Sequence, residues 1–192
     1  LLSTGFYIYL RSGMKYIAFL RAVNVGGHNK IKMDELKSLF ISLGHKNVQT
    51  VIQSGNVIFD SSVKDIKTIT NKIEEKLSAL MGKEIKVFVR THSELAKIVK
   101  ENPFGKTKAD DKIKTYVFLL YEEPKSKIDI PFVSSTGDVN VFKKAGLQLF
   151  LFVIKIPGKA SSPNDLIEKY FGVSATARNW NVVCKIVEKA SA

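Results

Sequence analysis

Cysteine is nearly absent from this chain: Cys184 is the one thiol in 192 residues. No disulfide framework can form within the chain, and a reducing, cytoplasmic setting is expected. Cys184 lies among Val183 and Val187 and reads as a core thiol rather than a nucleophile. Histidine is almost as scarce. His28, His45 and His92 stand far apart, and none has a second ligand at zinc spacing, so no metal is expected. Apolar runs such as Leu149–Ile154 are strand-sized, well short of the ~18 residues of a membrane helix; no membrane partner is expected. Neither a phosphate-binding P-loop nor a dinucleotide glycine motif occurs, and no cofactor is implied. No catalytic Ser-His-Asp or Cys-His pattern stands out, and a catalytic residue is left unassigned.

Arginine is also rare. The formal charge is +12, yet four arginines stand against 26 lysines. Residues 14–102 carry 15 basic and 9 acidic groups and residues 103–192 carry 14 and 9, with Arg11 making up the balance. So even a spread speaks for diffuse polyanion attraction more than for one nucleic-acid face. Lysine cannot reproduce the planar fork of a guanidinium, which makes the positions of Arg21, Arg90 and Arg178 informative.

What the chain does have is a periodic α+β pattern. Residues 1–13, ahead of Met14, are apolar without a basic start and read as a vector or upstream segment. The spacing then predicts strand Lys15–Val23, helix Met33–Leu43, strands Val48–Gln53 and Val57–Asp60, helix Val63–Met81 and strand Ile85–Arg90. That order is a ferredoxin-like plait, βαββαβ. A helix Ser93–Lys100, capped by Ser93, and a linker 102–111 follow. The second half predicts strand Lys114–Tyr121, a hairpin of Val139–Lys143 and Leu147–Lys155, a helix from Pro163 to Phe171 and a last helix Asn179–Lys189. Lys114-Thr-Tyr-Val-Phe-Leu-Leu faintly echoes Lys15-Tyr-Ile-Ala-Phe-Leu. The expected fold is α+β, with two ferredoxin-like units packed together, a first of 14–102 and a second of 103–192.

Within a plait, strands one and two point the same way with strand three between them. Their C-terminal ends then lie about two strand spacings, ~10 Å, apart. This brings Arg21, Asn24, Gly26, Gly27, His28, Asn29 and Lys30 after strand one beside Gln53, Ser54 and Asn56 at the hairpin tip. The paired glycines permit close backbone approach, and the start of the first helix favours an anion there. Asp34 and Glu35 already oppose that dipole, so turn formation alone also accounts for several of the asparagines. Arg90 falls at the opposite edge. Arg178, Asn179 and Trp180 are expected at the interface between the units, lining the cleft.

Arg21-Ala-Val-Asn-Val-Gly-Gly-His-Asn-Lys-Ile-Lys-Met33, Ile52-Gln-Ser-Gly-Asn-Val57 and Thr176-Ala-Arg-Asn-Trp-Asn181 resemble the bacterial family known as domain of unknown function 1697. The resemblance runs from Met14 to the C-terminus. It implies a cytoplasmic bacterial protein of two ferredoxin-like α+β units and supplies no reaction. Ala22, Ala177 and Val182 depart from residues common in the pattern, the latter two by losing hydroxyls.

Two functions follow as expectations. The first is a site for a small anionic or nucleotide-like ligand at the loop after strand one and the neighbouring hairpin. The second is a basic module that binds nucleic acid non-specifically. An RNA platform of the exposed-aromatic kind is disfavoured, because Tyr16, Ala18 and Leu20 alternate with Ile17 and Phe19 and leave both sheet faces apolar.

Overall fold

A computed structural model of the chain describes residues 13–24, 30–52, 55–107, 112–125, 129–158 and 163–192. Its helices and strands form two antiparallel sheets in an α+β arrangement. The first sheet holds β1 (Met14–Leu20), β2 (Lys46–Thr50), β3 (Asn56–Ser61) and β4 (Val87–Thr91) in the order β2-β3-β1-β4. Helices α1 (Met33–Ser42) and α2 (Ile66–Met81) alternate with these strands, and α3 (His92–Glu101) leaves β4 directly. The second sheet has the order β6-β7-β8-β5-β9, with β5 (Ile113–Leu120), β6 (Phe132–Val133), β7 (Val139–Ala145), β8 (Gln148–Ile154) and β9 (Ala175–Asn179). Helix α4 (Pro163–Phe171) precedes β9, and α5 (Trp180–Ser191) follows it.

The strands β1 and β5 are central because they are apolar on both faces. Tyr16, Ala18 and Leu20 join a core beneath α1 and α2 with Leu36, Phe40, Ile69, Ile73 and Leu77. Ile17 and Phe19 point the other way, into a core shared with Val117, Leu119 and Phe150 of the second sheet and with residues of α3 and α5. Phe118 and Leu120 then face a third core under α4, with Ile167 and Phe171. Period-two alternation thus feeds two cores from each central strand. Both faces of the first sheet are covered, as its alternation required.

The boundaries differ from the sequence reading at informative places. Strand β1 stops at Leu20, not Val23, because Ala22 and Asn24 take left-handed φ values of 52° and 57°. Helix α2 begins at Ile66 rather than Val63, where Asp65 accepts from the Thr68 N–H. Helix α3 is capped by Thr91 rather than Ser93: β4 runs straight into the helix, and the Thr91 hydroxyl accepts from the Glu94 N–H at 3.2 Å. Strands β6 and β9 carry no signal in the sequence pattern. β9 reads Ala-Thr-Ala-Arg-Asn, short and small-sided, and it becomes a strand by pairing with β5 from Tyr116↔Asn179 to Leu120↔Ala175.

Glycine is required at the hairpin between β2 and β3. Gly55 has φ 68°, and a Cβ there would lie 3.0 Å from the Leu20 Cβ and 3.4 Å from the Val23 Cβ. Its carbonyl accepts from the Leu20 N–H at 2.8 Å. The end of β1 and the hairpin tip are therefore in direct contact, closer than the two-spacing estimate. Gly26, Gly27, His28, Asn29, Gln53 and Ser54 lie outside the described residues, as does the segment 1–12.

Candidate functional site

The loop after β1 starts from a doubly fixed base. The Arg21 N–H donates to the Lys86 carbonyl at 2.9 Å. The Asn24 side chain then clasps Ile31, its Nδ2 donating to the Ile31 carbonyl at 3.0 Å and its Oδ1 accepting the Ile31 N–H at 2.9 Å. One amide thus satisfies both backbone groups of a residue seven positions on. Ile31 is buried, while Lys30 and Lys32 on either side of it are exposed. Lys32 is the N-cap of α1 and contributes no side-chain cap bond. Asn24, Lys30, Lys32, Met33, Asp34 and Glu35 line an open depression of about 800 Å³ in front of that helix. Its two lysines are balanced by the first-turn carboxylates, so the depression is polar rather than strongly cationic.

The arginines do something else. Arg21 forms a two-point pair across the molecule, Nη1 at 2.7 Å and Nη2 at 2.9 Å from the two carboxylate oxygens of Glu168 on α4. Arg178 is buried on the face of β9 that meets the first sheet. Its Nε donates to Asn56 Oδ1 at 2.6 Å, Nη2 to the Leu20 carbonyl at 2.9 Å, and Nη1 to Thr176 Oγ1 at 3.0 Å and the Ala177 carbonyl at 2.8 Å. The guanidinium also lies over the Phe19 ring, 5.5 Å from its centroid. Burial pulls its pKa down to about 10, which leaves it charged at neutral pH.

Arg90 answers from the other side. It leaves β4 and donates through Nη2 to the Leu120 carbonyl at 2.5 Å and the Leu147 carbonyl at 3.3 Å, and through Nη1 to the Val89 carbonyl at 2.8 Å. Burial pulls it down to about 10 as well, with Glu94 opposing the shift. Register makes the two arginines correspond. Arg90 sits opposite Ile17 in β1, and Arg178 opposite Val117 in β5. Each reaches the last carbonyl of the other sheet's central strand, Leu120 or Leu20.

The same correspondence holds for two glutamates. Glu74 on α2 accepts from the Val87 N–H at the start of β4 (2.7 Å) and from the Tyr121 hydroxyl (2.9 Å). Glu168 on α4 accepts from the Ala175 N–H at the start of β9 (2.7 Å) and binds Arg21. Tyr121 and Arg21 each directly follow a central strand, and each N–H donates to the residue before the edge strand, Ser174 or Lys86, at 2.9 Å. The Tyr121 hydroxyl is pushed up to about 12, by burial first and by the Glu74 carboxylate next, so it remains a donor.

Of the residues singled out from sequence, the structure joins Asn56 to Arg178 and places Asn24 and Lys30 at the depression. Arg21 points to Glu168. Asn179 is the N-cap of α5, its Oδ1 accepting from the Asn181 N–H at 3.0 Å. Trp180 is buried in the core shared by the two sheets, 5.3 Å from the Phe104 ring centroid. Sequence reading missed Glu74, Tyr121, Gln148 and Glu168. Each has a side-chain partner in the other half of the chain, and no linear pattern marks them. Among the described residues, no group of three or more His, Cys, Asp or Glu is placed to hold a metal, and no helix is long and apolar enough to cross a membrane.

A family model described as a protein of unknown function, DUF1697, matches residues 14–148. The chain belongs to the DUF1697 family. Its match takes in Arg21, Asn24, Lys30, Asn56, Glu74 and Arg90, and stops before Glu168 and Arg178. The conserved bacterial protein SP0830 of Streptococcus pneumoniae is similar in structure, with a TM-score of 0.62 and 18% identity over 93% of this chain and 99% of that one. At that identity the likeness shows the fold. No curated protein matches the chain.

Proposed function

We propose that this DUF1697 chain binds a small anionic or nucleotide-like ligand at the edge formed by 24–30 and 53–56, in the depression before α1. The observation that carries this reading is the Asn24 clasp on Ile31, which anchors the loop and leaves Lys30 and Lys32 exposed beside it. The N-terminal N–H groups of α1, not taken by a cap side chain, suit an anion, and the depression's volume suits a small ligand. Arg21, Asn56 and Arg178 then act as the frame that holds this edge, since each already has protein partners.

The frame itself supports a further reading, that the chain is two ferredoxin-like units, 14–102 and 103–192, related by duplication. The orders β2-β3-β1-β4 and β7-β8-β5-β9 correspond, and the paired arginine and glutamate contacts fall at matching registers.

Titration calorimetry with pyrophosphate and ADP tests the ligand site. One-to-one binding that falls about tenfold in a Lys30→Ala/Lys32→Ala variant, and only modestly with salt, supports it. Length-dependent binding of random duplex DNA, lost by ~200 mM salt with no pyrophosphate binding, favours the nucleic-acid module instead.

A further inference from the structure

A second cavity, of about 490 Å³, runs along the free edge of β4, between α2 and the segment that follows β5. Among the described strands β4 is bonded to β1 alone, so sheet pairing leaves that edge open. The walls are mostly apolar, from Ile66, Val87, Val89 and Leu147; Arg90, Lys67 and Thr70 are among the polar groups that interrupt them. Its size and lining are those of a small-molecule site.

Arg90 is 4% exposed, and its Nε has no hydrogen-bond partner among the described residues. A buried charged donor without an acceptor is costly and uncommon. The corresponding arginine shows what is missing. Arg178 Nε is met by Asn56 Oδ1 at 2.6 Å, and Asn56 lies opposite Phe19. At the matching register, opposite Leu119, stands Gln148. Its amide turns instead to Glu94, donating through Nε2 to Oε1 at 2.8 Å. The Arg90 side of the molecule therefore lacks the oxygen that its counterpart has.

We propose that this cavity binds a small organic carboxylate with an apolar body, its carboxylate meeting the Arg90 guanidinium. Charge and chemistry select that class. Arg90, Lys67 and Glu122 lie on the lining, and the carboxylates of Glu74 and Glu94 nearby are already bonded, to Val87 and Tyr121 and to Gln148. A carboxylate meets a guanidinium through a charge-assisted bond that a neutral acceptor lacks. A phosphate dianion would bring a second negative charge to a lining that already carries Glu122, and the apolar walls favour a hydrocarbon or aryl body. This site is separate from the depression before α1 and does not rest on it.

The full chain should be titrated calorimetrically with 4-phenylbutanoate, with the matched alcohol and the matched amine as controls. The acid is expected to bind one-to-one, about tenfold or more tighter than either control, the margin of one charge-assisted bond. Asn71→Trp, on the exposed rim of α2, should obstruct the cavity and weaken the acid about tenfold without lowering the melting temperature. Lys67→Glu should weaken it several-fold. Arg90→Lys also removes a clamp, so its readout is the acid-to-alcohol ratio, expected to collapse towards one in whatever fraction stays folded. The proposal is overturned by no saturable acid binding up to about 10 mM, by equal binding of the alcohol, by an acid preference that survives Asn71→Trp, or by displacement of the acid by pyrophosphate.

Discussion

Replacing Arg178 with methionine removes a buried tie between the two sheets, and its cost can be worked from the contacts. The substitution withdraws a charged donor from Asn56 Oδ1, the Leu20 carbonyl, Thr176 Oγ1 and the Ala177 carbonyl. Hydrogen bonds to a charged group are each worth roughly 1.5–3 kcal/mol. Against this, methionine is spared the cost of burying a charge. The pull of the guanidinium from 12.5 to about 10 puts that cost on the order of 3 kcal/mol. The bonds win, and the net loss should resemble that of breaking a buried polar network from one side, about 3–5 kcal/mol. In a chain of this size each kcal/mol lowers the melting temperature by roughly 2–4 °C, so a fall of about 10 °C is expected. Urea unfolding followed by Trp180 fluorescence and by far-ultraviolet circular dichroism checks both the size and the place of the loss. Trp180 lies in the core between the sheets, so its signal reports the joint. A double-mutant cycle with Asn56→Ala should return a coupling above about 1 kcal/mol. If Arg178→Met lies within about 0.5 kcal/mol of the wild type, the guanidinium is not what holds the sheets together.

Three further outcomes are expected. Glu168→Ala should destabilise by about 2 kcal/mol, because it removes the acceptor of the Ala175 N–H as well as the partner of Arg21; Arg21→Ala, at a part-exposed pair, should cost about 1 kcal/mol or less, and equal losses in urea unfolding would refute that division. His45 is buried between Phe40 and Phe59, with Nε2 lacking a partner among the described residues, and burial first, then Lys72, holds its pKa below the ordinary 6.5. The unfolded chain therefore binds more protons below pH 6.5, so stability should fall as pH drops from 6.5 until the lower folded value is passed. His45→Phe should flatten that slope in urea midpoints measured between pH 7.5 and 5. Finally, a fragment of residues 14–102 should bind a hydrophobic dye through Ile17, Phe19, Ile58 and Phe88, which the second sheet otherwise helps to cover; a monomeric, cooperatively folding fragment that binds no dye would refute this.

Local physics made the elements of the first half legible. The 3.6-residue spacing of Ile69, Ile73 and Leu77, the alternation in Tyr16–Leu20 and the Ser54-Gly55-Asn56 turn signal each depend on a few neighbouring residues, and each foretold a real element. The three arginines were conspicuous because lysine is so favoured here. Their roles were not legible, since the carbonyls of Leu20, Leu120 and Leu147 look like any other carbonyls in a sequence. Strand β9 was missed for the same reason: Ala175–Asn179 has no apolar signature of its own and is a strand by virtue of the partner it meets.

By itself, then, the sequence determined the α+β pattern, the central two-faced strands, the glycine at the β2–β3 hairpin and the family. These are properties of short windows, where dihedral preference and side-chain period act directly. Only the tertiary structure decided that Arg21 reaches Glu168, that Arg178 and Arg90 cross between the sheets, and that Gln148 leaves Arg90 one acceptor short. Those outcomes depend on which polar groups are brought together away from water. A guanidinium binds whatever acceptor the fold presents, and that acceptor comes from a part of the chain up to 158 residues away.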